Sequence, residues 1–229
     1  VNSPISLLAN TFRRVLGDLL IDGVAGIDEQ TRILDEAFGS HLDTMTDMSR
    51  PHEDWIQDSL LNPGFLTSSL TMQKFFECVG GETTFYNSFP RMHTDWRWYK
   101  SFFGDNARFN DQFLANYFTQ SHNLYDFTGV FPPRAPEANV ELELAAEQLI
   151  RIVADYWNEK TLPPKDEIVA ATEDVRRHLG DVCPAWLESV NEFLDVYAKE
   201  PPTAADMQNM KVLKPIFGRE MLYIAMQRN

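Results

Sequence analysis

Two histidines, His93 and His122, fall in a stretch of chain that also holds Arg91, Asp95, Arg97 and Asp126. His122 and Asp126 are four residues apart, so a helix would set both on one face about a turn apart. His93 and Asp95 form an H-x-D pair. Imidazole nitrogen and carboxylate oxygen suit iron, manganese or zinc, and helical bundles build such centres from inward-facing side chains. Yet no Glu-x-x-His element occurs anywhere in the chain, and no metal is assigned. Acid/base chemistry asks for less. An imidazole with an ordinary pKa of ~6.5 needs only a small environmental shift to exchange protons near neutrality. His93 and His122 are therefore the candidate catalytic residues. The structural alternative is that Asp95 caps a helix, Asp126 ends one, and both histidines are hydrogen-bonded groups among aromatics.

Those aromatics are dense. Residues 85–131 carry 15 of the chain's 28 Phe, Tyr and Trp side chains, enough either to thicken a core or to wall a pocket. Trp96, Trp98 and Tyr125 sit beside the polar candidates. Arg91, His93, Arg97, Lys100 and Arg108 form the densest positive cluster in the chain. The expected ligand set is Arg91, Asp95, Trp96, Arg97, Trp98, Tyr125 and Asp126, holding a small organic molecule by its acidic group and its apolar body. Cation–π packing of Arg97 on Trp96 or Trp98 would account for part of the same set without a ligand.

Other chemistries are excluded by missing motifs. There is no G-x-S-x-G elbow, and neither Cys78 nor Cys183 has a histidine close by in sequence. No phosphate loop or G-x-G-x-x-G turn is present, and the cofactor, if there is one, stays unknown. A formal net charge of −14 repels phosphate backbones, which argues against nucleic acid. Residues 137–200 hold fifteen Asp and Glu against six Lys and Arg, whereas 207–229 hold four basic residues against one Glu. No apolar run reaches the length of a membrane span and no signal peptide opens the chain. The expectation is a soluble cytoplasmic protein with two buried, reduced thiols. The chain begins on Val1 rather than Met, as a piece of a longer polypeptide would, and a homo-oligomer is also compatible with it.

The elements that must position these groups are helical. Ser3-Pro4 is a cap followed by proline in the first turn, and Ile5, Leu8, Phe12, Val15, Leu16 and Leu19 recur at helical spacing. Further helices are predicted over about 28–46, 51–61 and 67–79, with Asn62-Pro63-Gly64 and Gly80-Gly81 as stops. In the middle, a short helix capped at Thr94-Asp95 should reach Phe103. Another should run from Asn106 or Asn110 to Tyr125, followed by an extended proline-containing loop over 128–136. Pro132-Pro133, Pro163-Pro164, Pro184 and Pro201-Pro202 each precede a helical pattern, predicting helices over about 137–158, 165–179, 184–199 and 203–228. Only 81–85 and 222–225 read as short strands.

The fold class expected is all-α: an irregular multi-helix bundle of about nine helices with little or no β structure. It is organised as one domain with N-terminal helices (3–80), an aromatic-rich centre (81–136) and C-terminal helices (137–229). Three functions fit. The central segment lines a pocket for a small organic ligand, with His93 and His122 as acid/base; or the chain is an accessory, substrate-selecting domain of a larger enzyme; or it is an interaction domain whose exposed aromatics are hot spots for a partner.

Overall fold

A computed structural model describes residues 1–92, 97–104, 107–180 and 182–229. It is an all-α fold: ten α-helices among the described residues and one two-stranded antiparallel sheet. The first helix, α1 (Pro4–Ile21), is its axle. The apolar repeat predicts an amphipathic helix with one wet side, but every residue from Pro4 to Gly17 is buried, including Ser6, Asn10, Thr11, Arg13 and Arg14. Around it pack α2 (Ile27–Leu42), α3 (His52–Ile56) with its π-helical continuation Gln57–Leu61, and the long α7 (Pro136–Asn158). Two more antiparallel helices, α8 (Lys165–Leu179) and α9 (Pro184–Tyr197), extend the α7 layer.

Two expected helices are corrected. The segment 67–79 is broken: α4 (Pro63–Thr67) ends, and α5 (Met72–Val79) restarts on Thr71, whose hydroxyl caps Lys74 N–H. Between them the backbone is diverted to the start of the chain, with Leu70 N–H donating to Asn2 C=O at 3.0 Å. No Gly or Pro announces that break, because tertiary pairing causes it. The proposed helix over 203–228 shrinks to α10 (Ala204–Gln208). Beyond it the chain becomes an irregular strap and then strand β2 (Tyr223–Arg228).

Charged side chains take the place of helix hydrogen bonds in that strap. The Glu192 carboxylate accepts the N–H groups of Lys211, Val212 and Leu213 at 2.5, 3.0 and 2.8 Å. Arg13 donates to the carbonyls of Leu213, Lys214 and Ile216 at 2.9, 3.1 and 2.9 Å. Pro215 has no N–H to offer a helix. Gly218 then passes so close to α1 that a Cβ there would lie 1.8 Å from Ser6 O, a position only glycine fits.

The strap delivers β2 to β1 (Thr83–Phe89), with Phe89 opposite Tyr223 and Thr83 opposite Arg228. The two segments with strand character in the sequence, 81–85 and 222–225, each fall partly within one of these strands but do not face each other: residues 83–85 pair with 226–228, and 223–225 pair with 87–89. Phe85 on the inner face stacks on Phe113 of α6 (Phe109–Gln120) at 4.2 Å. The extra β1 residue between Phe85 and Asn87 is a bulge at Tyr86. The cysteine expectation also changes: Cys78 is exposed and Cys183 half-buried, both free. Glu147 of α7 pairs with Lys74 of α5 at 2.5 Å.

Replacing Arg13 by Met should unseat the strap, because three buried carbonyls lose their charged donor at once. We expect the variant to lose roughly 3 kcal/mol or more in urea unfolding, against under about 0.5 kcal/mol for a surface control such as Arg151→Met.

Candidate interaction surface and candidate clefts

The structure divides the aromatic segment between core and surface. Phe85, Phe113, Tyr117 and Tyr125 are buried; Tyr86, Phe89, Trp98, Tyr99, Phe103 and Phe127 are exposed. The sequence candidates divide likewise. His93, Asp95 and Trp96 lie outside the described residues.

His122, Tyr125 and Asp126 do come together, but in the interior, around Trp186 of α9. His122 is fully buried, with its ring 6.4 Å from the Trp186 ring. Asn139 donates to its Nδ1 at 3.0 Å; Asn139 Oδ1 meanwhile accepts from Arg134, which fixes the amide's orientation. Its Nε2 lies 3.2 Å from the amide nitrogen of Asn123. Burial, reinforced by the charge of Arg134, pushes the His122 pKa down to about 4. At neutral pH it is a neutral, fully bonded group with no solvent path on its surface. Ser189 Oγ donates to Trp186 C=O, so Tyr125 OH donates to Ser189, each at 2.7 Å. Asp126 accepts Thr128 N–H and Oγ–H at 2.9 and 2.8 Å and the Trp186 indole N–H at 3.4 Å. These three residues hold the 121–131 turn in place.

The remaining candidates face outward. Arg91 is exposed. Arg97 lies 4.9 Å over Phe102, and Lys100 sits on Trp98, at 5.0 Å. Trp98 is itself exposed and meets Tyr99 edge-on at 5.7 Å.

What the sequence candidates missed is the outer face of the β1–β2 ladder. Residues directly opposite in an antiparallel pair share a face, so Phe89 and Tyr223 stand side by side in solvent, with Asn87 and Ala225 beside them. Tyr86, displaced by the bulge, is 75% exposed, Phe89 72% and Tyr223 57%. The signal was present in sequence as strand-like 81–85 and 222–225, but the pairing spans most of the chain and no local pattern encodes it.

A second feature lies at the C-terminal end of α1. A cleft of about 330 Å³ is lined by Asp18, Asp22, Val24, Gln30, Trp157 and Lys160 among others. Behind it the Arg14 guanidinium stacks on the Trp157 ring at 4.6 Å and donates to Asn62 C=O at 2.9 Å. Its Nε and Nη2 groups are buried with no hydrogen-bond partner. Burial raises the Asp18 pKa to about 7, which the nearby Arg14 charge offsets only in part. A carboxyl that titrates near neutrality in a cleft can give or take a proton there. A wider apolar concavity, about 490 Å³, is walled by Met45, Met48, Trp55 and Phe127. None of the described sequence candidates lines either one. Among the described residues no three His, Cys, Asp or Glu side chains gather as a metal ion would need, and no helix is long and apolar enough to cross a membrane.

No protein-family model, curated protein or solved structure matches the chain.

Buried titratable groups of opposite habit give a pH test. His41 and His122 have pKa values lowered by burial from 6.5 to about 3 and about 4. Their stabilising contribution is complete above 6.5 and is lost as pH falls toward those values. Asp18 and Glu143 are raised by burial from 3.8 and 4.5, each to about 7; their contribution is complete below the ordinary carboxylate range and is lost as pH rises through 7. The two sets oppose each other between pH 4.5 and 6.5. In an Asp18→Asn/Glu143→Gln variant the histidines act unopposed, so its urea midpoint should climb more steeply than the wild type's from pH 4.5 to 6.5. The variant should also gain on the wild type up to pH 8.

Proposed function

We propose that this chain is a protein-interaction domain whose docking surface is the outer face of the β1–β2 ladder. The observation that carries the reading is the side-by-side exposure of Phe89 and Tyr223, with Tyr86 also exposed at the bulge of the same strand. Large aromatic rings cost little conformational entropy to bury and are the side chains that dominate binding energy at interfaces. Each exposed ring also forgoes about 25 cal/mol per Å² that burial would return, so a small sheet that exposes three has an unfilled partner-binding capacity. Trp98, Tyr99 and Phe103, also exposed, extend the aromatic character of the same central segment.

The competing reading, catalysis by His122, draws less support because that ring is sealed and neutral. A soluble, cytoplasmic setting belongs to the same proposal and is supported by two unpaired cysteines, one of them exposed.

Selection of peptides from a random displayed library against the purified protein tests the reading. Selected peptides should bind Phe89→Ser/Tyr223→Ser at least ten-fold more weakly than wild type, whereas Asp18→Asn binds them equally well. Unchanged affinity in the double serine variant, whose melting temperature serves as a folding control, would place the docking surface elsewhere.

A further inference from the structure

The two edges of the small sheet are treated differently. On the β1 side the edge is closed by one side chain: Asn110 Oδ1 accepts Phe85 N–H at 2.6 Å and its Nδ2 donates to Thr83 C=O at 2.9 Å. Asn110 thus does what a third strand would do. Exposed edges are commonly blunted in this way because unpaired strands recruit other chains. On the β2 side no such cover exists among the described residues.

The parity of that open edge follows from the hydrogen bonds at its ends. Beyond the last pair of the ladder, Asn229 N–H donates inward to Glu82 C=O at 3.0 Å. Inward and outward residues alternate along an antiparallel strand, so Arg228, Met226 and Ile224 turn their N–H and C=O groups outward. Leu222 continues the series and shows what the edge accepts. Its N–H and C=O bond reciprocally to the backbone of Val1, at 3.0 and 2.9 Å. A reciprocal pair of this kind is antiparallel, so an incoming backbone is already seated at one end of the edge, leaving three residue positions open.

We infer that the β2 edge is a strand-addition site for an extended peptide running antiparallel to Ile224–Arg228. This rests on the interaction reading above and specifies its mode. The surroundings define the peptide. Its side chains on the outer face would meet Tyr223 and Ala225, and those on the inner face would meet half-buried Ile224 and Met226, so both faces favour apolar residues. The end nearest Arg228 favours an acidic residue, and for antiparallel entry that is the peptide's N-terminal end. The chain's overall negative charge does not cancel this preference, since fields from distant surface charges are screened beyond about 8 Å at physiological ionic strength. The partner is therefore an acidic-headed, apolar, extended segment of another protein.

Amide hydrogen exchange followed by NMR decides this. The probe is the synthetic peptide acetyl-Glu-Glu-Val-Tyr-Val-Thr-amide, with a Lys-Lys counterpart and a version N-methylated at alternate residues. With the Glu peptide, the Ile224, Met226 and Arg228 amides should slow at least ten-fold, while those of Tyr223 and Ala225, already bonded to β1, change little. The Lys-Lys and N-methylated peptides should bind at least ten-fold more weakly. Arg228→Pro removes an outward N–H without touching the ladder and should weaken binding beyond the effect of Arg228→Gln. Binding that depends on Phe89 and Tyr223 but leaves the three outward amides fast would overturn strand addition and leave the aromatic surface standing. No binding of the Glu peptide would also overturn it. So would concentration-dependent protection of the three amides without peptide, which would assign the edge to a second copy of the chain.

Discussion

Arg13 sits at the centre of this molecule with no carboxylate in contact and no water on its surface. Its guanidinium is neutralised instead by oriented backbone: carbonyls of Ala9, Leu213, Lys214 and Ile216, with the Phe217 ring at 4.0 Å. Burial lowers its pKa to about 9, which still leaves it charged at neutral pH. His41 completes the arrangement. Its Nε2–H donates to Met207 C=O at 2.8 Å, so its bare Nδ1 can take the Arg13 Nε–H at 3.3 Å. A protonated His41 would set two cations together in the interior, which is why burial and Arg13 together hold its pKa so low. One cation thereby ties α1, α2 and the C-terminal strap into a single unit.

The surface depends on that tie. Because Arg13 and Glu192 satisfy the strap's backbone from two sides, residues 209–222 can cross the fold without forming a helix. Arg219 then grips the carbonyls of Asn123, Asp126, Phe127 and Gly129, fastening the strap to the turn that carries His122 and Tyr125. Only after these attachments does the chain reach β1 and place Tyr223 beside Phe89. A buried charge far from the surface thus decides whether the aromatic ladder exists.

The same economy explains why the residues best suited to chemistry are occupied. His122, Tyr125 and Asp126 each spend their hydrogen-bonding capacity on neighbours around Trp186. Tyr117 and Glu143 do likewise, with the phenol donating to the carboxylate at 2.7 Å and Met72 N–H at the start of α5 bonding to the same group. Unpaired buried polar groups are costly, and these residues close their own networks, whereas Arg14 keeps a buried Nε and Nη2 without a partner. Asp18 in its cleft and the unpaired backbone of β2 also keep capacity to spare.

Much of this was legible in the order of residues. Helices over 4–21, 136–158, 165–179 and 184–197 follow from apolar spacing and from prolines placed at or just before their first turns, all local effects. The all-α class follows from the same signals, as does the strand character of 81–85 and 222–225. What the order could not determine is which polar residues would be wet. Arg13 and Asn10 look like the solvent side of an amphipathic helix and are buried because segments two hundred residues away bring matching acceptors. His122 and Asp126 look like a site and bond instead to Asn139 and Trp186. Periodicity reports which side chains avoid water; which backbone groups meet a buried charge, and which rings are left outside, depends on contacts between distant segments that only the folded chain creates.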